Sequence, residues 1–165
     1  MSRFHNILVA VDFSQTSDDA LAVAAEMSRT SHAQVHLLHV VPSVFQTPYG
    51  MEPVAFDFSG YLRQSDASAR ARLPELVARH QLDPALLTIA VRSGPPADEI
   101  VAYAEDQAID LIVLGAHGHG FLDRLLIGSV AERVARRAPC SVLLVPHASR
   151  RLTSFEVKAA AGVES

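Results

Sequence analysis

Leu111-Ile112-Val113-Leu114-Gly115-Ala116-His117-Gly118-His119-Gly120 decides how this chain is read, together with the Gly128-Ser129 pair that closes the segment nine intervening residues after Gly118. The first four residues are a fully apolar run and predict a buried strand. A glycine-rich loop follows, and Gly128 to Arg137 then has the pattern of an amphipathic helix. Strand, glycine loop and fresh helix N-terminus, in that order, is how an α/β protein binds phosphate. Backbone N–H groups approach an anion closely where no Cβ intervenes, and the positive end of the helix dipole favours the negative charge. The loop is therefore the candidate site, and its ligand class is a nucleotide.

Working outward, strand patterns recur at Ile7–Val11, Gln34–Val41, Leu87–Arg92 and Ser141–Val145, with helix-length segments between them. Ser14 to Arg29 carries Ala20, Leu21, Ala24, Ala25 and Met27 at helical spacing, with Ser14, Thr16 and Ser17 as candidate N-caps. Phe58 to His80 reads as a helix broken at Pro74, and Pro96 to Gln107 begins with proline in its first turn, where the missing N–H costs little. This β-α alternation predicts one α/β domain, doubly wound, with a five-stranded parallel sheet and helices on both faces. Ligands of such sheets bind beyond the carboxyl ends of the strands, where strand order reverses. If the first and fourth strands are neighbours there, Asp12 and the glycine loop face one crevice. Pro42 to Phe56 reads as a long loop on the same rim, either a lid or a plain surface loop. Residues 147–165 read as a C-terminal extension beyond a domain of residues 1–146, mobile or covering an edge through Leu152–Val157.

Composition excludes several classes. The formal net charge is −4, so there is no electrostatic footprint for nucleic acid or an anionic membrane. No stretch approaches the ~20 apolar residues of a membrane span, and the N-terminus has no signal-peptide pattern. The single cysteine, Cys140, excludes an internal disulfide framework and suits a reducing, cytoplasmic compartment; a packed thiol is expected there.

The glycine segment is not a P-loop, because Gly128-Ser129 has no neighbouring lysine, and it is not a dinucleotide fingerprint, because the third glycine position counted from Gly118 is Asp123. His117 and His119 stand two apart without cysteine or clustered carboxylates, which makes phosphate neighbours or solvent-facing side chains of them rather than metal ligands. His36 and His39, three apart on a strand, lie on opposite faces. Arg133, Arg136 and Arg137 suit the negative end of the last helix. Neither G-x-S-x-G nor H-E-x-x-H is present. Asp12, the loop histidines and Arg124 would support at most slow phosphoanhydride hydrolysis, so no catalytic residue is assigned and binding is favoured over turnover.

The pattern G-x2-G-x9-G-[ST] at Gly115, Gly118, Gly128 and Ser129 resembles the ATP-binding signature of the universal stress protein family. The opening N-I-L-V-A-V-D-F-S, the strand H-L-L-H-V-V-P, the D-L-I-V-L-G-A-H-G run and the closing P-C-S-V-L-L-V-P extend the resemblance over roughly residues 3 to 146. It implies strand order 3-2-1-4-5 and ATP as ligand, with Mg²⁺ or Mn²⁺ accompanying the nucleotide. Asp12 would contact ribose and help position the metal, Ala10 would line the adenine pocket, and Val40 would read the adenine edge through its main chain. Gly115, His117, Gly118, His119 and Gly120 would wrap the phosphates, with Gly128 closing the loop and Ser129 and Val130 donating from the helix N-terminus. From the residues alone, Asp12 and Ser129 each retain a second reading as a helix cap. The resemblance further implies a homodimer through the Ser141–Val145 edge and a regulator or sensor in stress response, with no protein partner specified. The rival functions are a slow adenine-nucleotide hydrolase and a nucleotide-independent, chaperone-like stress protein.

Overall fold

A computed structural model describes residues 4–42, 58–116 and 127–146. Strands β1 (Asn6–Ala10), β2 (Gln34–Pro42), β3 (Leu87–Gly94), β4 (Leu111–Gly115) and β5 (Ser141–Val145) form one parallel sheet in the order β3-β2-β1-β4-β5. Helices α1 (Gln15–Ser31), α2 (Phe58–Arg79), α3 (Pro96–Asp106) and α4 (Ser129–Arg137) fill the connections, with a 3-10 turn at Pro84–Leu86 before β3.

Alternation along the central strands assigns each side chain to a layer. Ile7 and Val9 of β1, Val35 and Leu37 of β2 and Val113 of β4 pack with Ala20, Leu21 and Ala24 of α1 and Leu73 and Leu76 of α2. Leu8, Leu38, Ile112 and Leu114 face the other way, against Ile100, Tyr103 and Ala104 of α3 and Val134 of α4. Both faces of β1 are therefore covered, which is why it reads as an unbroken apolar run rather than an alternating one. Each fully buried Leu, Ile or Val contributes about 1.5–3 kcal/mol of transfer free energy, and Ile7, Leu8, Val9, Leu37, Leu38 and Ile112 are all fully buried.

Pro74 lies inside a continuous α2, so the expected break is absent. Ala69, Leu73 and Leu76 are buried on either side of it, and their packing offsets the hydrogen bond that proline removes, a loss of about 3 kcal/mol. β1 ends at Ala10 rather than Val11, and α1 runs two residues beyond Arg29 to Ser31. The Pro42–Phe56 loop, apart from Pro42 itself, and the 147–165 extension lie outside the described residues. Among the described residues no helix is long and apolar enough to cross a membrane.

Candidate functional site

β1 is hydrogen-bonded to β2 on one side and β4 on the other, so the strand order reverses beside it and the crevice expected at such a point opens over its end. A cavity of about 430 Å³ lies there. Its wall draws on the end of β1 (Ala10), the residues that follow it (Val11, Asp12), the start of α1 (Ser14, Ser17) and the end of β2 (His39, Val40, Pro42). Pro96 and Ile100 of α3, Leu114 and Gly115 of β4, and Gly128, Ser129, Val130 and Ala131 at the start of α4 complete it.

The turn out of β1 is held from within. Asp12 Oδ1 accepts the Ser14 N–H at 2.9 Å, closing an Asx turn, and also accepts the Ser14 hydroxyl. Ser14 is the N-cap of α1, its Oγ accepting the Ser17 N–H. Asp12 is thus no cap itself; it braces the residue that is. Between them Phe13 has φ of +63°, a left-handed conformation uncommon for a bulky side chain. Its ring meets the His39 imidazole, 4.7 Å away centre to centre, and the Arg72 guanidinium, 3.9 Å from the ring centre.

On the β4 side, a Cβ added to Gly115 would meet the carbonyl carbon of Thr16 at 2.8 Å. The glycine there lets β4 pack against the first turn of α1. Ala116 donates its N–H to Val145 of β5 and accepts the N–H of Gly128, both at 2.8 Å. The end of β4 is thereby tied both to β5 and to the start of α4. Gly128 is the N-cap of α4 and makes no side-chain cap bond. Ser129 is the first helical residue, so its alternative reading as the cap does not hold. The leading N–H groups of a helix have no intrahelical partner, and Ser129, Val130 and Ala131 border the cavity.

All the expected site residues within the described segments, Ala10, Asp12, Val40, Gly115, Gly128, Ser129 and Val130, line this one cavity. His117, Gly118, His119 and Gly120 lie outside the described residues, as does Arg124. Ser14, Ser17, His39, Pro96 and Ile100 line it without having been singled out as site residues. Their participation depends on cross-strand register and the approach of α3, for which one strand's sequence carries no mark. Among the described residues Asp12 is the one carboxylate in the wall, and no group of three or more metal-binding side chains occurs among them. A divalent ion held beside Asp12 would need further oxygen ligands, which a phosphate chain can supply.

His36, Tyr103 and Cys140 belong to the frame. Buried His36 meets the Tyr103 hydroxyl through Nδ1 at 3.0 Å, on the face away from His39. Burial lowers the His36 pKa and raises that of Tyr103, the latter opposed by Arg92 over the tyrosine ring. Burial, then the charge of Asp110, holds the half-buried Cys140 thiol above its ordinary value, which suits a packed rather than a reactive group.

The universal stress protein family model matches residues 3–146, spanning every described strand and helix. The chain belongs to the universal stress protein family. Universal stress protein A homolog 1 of Coxiella burnetii is 34% identical over 144 residues, covering 87% of this chain and 96% of that protein. Among solved structures, universal stress protein UspA from Lactobacillus plantarum superposes with a TM-score of 0.74 at 31% identity, over 88% of this chain and 99% of that one. A universal stress protein solved in complex with cAMP shares the fold, with a TM-score of 0.65 at 23% identity over 88% of this chain and 99% of that one.

Proposed function

We propose that this universal stress protein binds ATP in the cavity at the end of β1 and acts as a nucleotide-dependent regulator in stress response. The observation that carries the reading is the convergence of Ala10, Asp12, Val40, Gly115, Gly128, Ser129 and Val130, from four separate stretches of chain, on one cavity. The lining holds groups suited to each part of a nucleotide. Val40, Ile100 and Pro96 give an apolar slot for a base, and the uncapped start of α4 suits a phosphate chain. Its volume lies within the ordinary range for small-molecule sites. The cAMP complex of a protein with this fold supports adenine as the base. In the ATP-bound form Asp12 would hold the ribose and reach an accompanying Mg²⁺ or Mn²⁺, and residues 117–120 would wrap the phosphates. A cytoplasmic setting and a homodimer through β5 complete the proposal.

Calorimetric titration with ATP, adenosine and inorganic tripolyphosphate tests it. Ser129→Ala should weaken ATP about tenfold or more, the loss expected for a hydrogen bond to a charged group, and leave adenosine nearly unchanged. Asp12→Asn keeps the oxygen that braces Ser14 and removes the charge, and it should weaken adenosine and ATP alike. No ATP binding by the full chain, or equal losses of both ligands in Ser129→Ala, would overturn the assignment. Steady phosphate release with Mg²⁺ would point to the hydrolase instead.

A further inference from the structure

We infer that His39 is a positioning residue: its imidazole takes the carbonyl at which the β1–β2 ladder would continue, and so leaves the main chain of Val40 to a planar heterocycle in the cavity. The identity of that heterocycle rests on the nucleotide reading above; the backbone geometry does not. Gln34 donates its N–H to His5 and Leu38 accepts the N–H of Val11, at 2.7 and 2.9 Å. In a strand the N–H and C=O of one residue point the same way and alternate residues face the same neighbour. Residues 34, 36, 38 and 40 of β2 therefore turn their main-chain groups toward β1. The next bond of a regular ladder would join the Val40 N–H to the Val11 C=O. Among the described residues the ladder stops at Leu38, and the Val11 carbonyl meets His39 Nδ1 at 2.8 Å. A carbonyl has no proton to give, so Nδ1 is the donor.

The side chain is held in place to do this, its ring against Phe13 at 4.7 Å with Arg72 on Phe13 as well. Phe13 keeps its left-handed φ of +63° inside that contact, and backbone strain of this kind persists where surroundings over-determine it. Val40 is only 8% exposed and lines the cavity, so its N–H and C=O call for partners. One donor beside one acceptor on a common edge complements a ring nitrogen beside an exocyclic amino group, the arrangement on adenine.

Isotope-labelled full-length protein tests this with and without ligand. In the ligand-free protein the imidazole ¹⁵N shifts should mark Nδ1 as proton-bearing, and no through-hydrogen-bond coupling should join the Val40 nitrogen to the Val11 carbonyl carbon. His39→Leu should make that coupling appear, and His39→Asn, which keeps a donor at the same bond distance from Cβ, should abolish it again. A Val40–Val11 coupling in the unmodified protein overturns the inference. Adenosine affinity should fall about fivefold or more in His39→Leu, the loss expected for a hydrogen bond or two, and recover in His39→Asn, while inorganic tripolyphosphate binds all three alike. Equal loss of both ligands would mean a structural role and overturn it, as would undiminished adenosine binding in His39→Leu. If the unmodified protein binds neither ligand, the nucleotide reading falls, and the couplings still decide the role of His39.

Discussion

A methyl group on Gly115 would lie 2.8 Å from the Thr16 carbonyl carbon and 3.0 Å from the Ser17 nitrogen, and both atoms are main chain with nowhere cheap to go. Gly128, by contrast, sits at φ −60°, ψ 147°, which any residue adopts. The two glycines of one motif thus answer to different demands. Gly115→Ala should cost about 1–3 kcal/mol, as overpacking does, and lower the melting temperature by roughly 2–4 °C per kcal/mol. Gly128→Ala should leave the melting temperature nearly unchanged and show itself in ATP titration. A scan of melting temperatures checks the pair, and an unshifted Gly115→Ala would refute the packing argument. The spacing of these glycines was legible in the sequence as a local pattern, whereas the role of Val40 came only from the resemblance; the structure puts Asp12 two residues past the end of β1 and Val40 two before the end of β2. The left-handed Phe13 was not legible, since an aromatic residue gives no local reason for φ of +63°. Its conformation answers to His39 and Arg72, which arrive from β2 and α2.

β2 shows how one strand serves two purposes through its alternation. His36 faces α3, buried against Tyr103, and His39 faces Phe13 at the cavity. The His36 pKa is lowered by burial, while in the unfolded chain it titrates near its ordinary value of about 6.5. Below that value the unfolded state binds a proton that the folded state refuses, so stability is complete above about pH 6.5 and falls as the solution is acidified toward the folded pKa. Urea denaturation at about pH 7.5 and about pH 5.5 should therefore show a larger acid loss for the unmodified protein than for His36→Gln, which keeps a polar partner for Tyr103 and does not titrate. Equal losses would remove His36 from the account. Strands and helices were largely readable from apolar runs and caps, Ser14 at the head of α1 among them. α2 was the exception at Pro74, where burial of Leu73 and Leu76 outweighs a local breaking signal.

Across the molecule the sheet ends on β5, whose Leu143 is 38% exposed. An edge of this kind offers unpaired N–H and C=O groups to another strand. Pairing with its own copy about a two-fold axis is the economical cover. Light scattering should give a dimer both for the full chain and for a version ending at His147, and Leu143→Lys should shift it to monomer. A monomer in both would refute the dimer, and dimerisation only after truncation would assign the edge to the chain's own extension. A parallel α/β sheet was foreseeable from the alternation, and its strand order only from the family resemblance; the cover of an edge is not, because it is decided by a surface outside the chain's own core. Ala116 accepts the Gly128 N–H while donating to Val145, so β4, β5 and the start of α4 are tied together at one main-chain position. Ring closure grows only slowly costlier with length, about 0.6 kcal/mol per doubling. Lengthening, shortening or exchanging residues between Ala116 and Gly128 should therefore leave β4, α4 and β5 in register, because the tie that joins them lies outside the altered stretch.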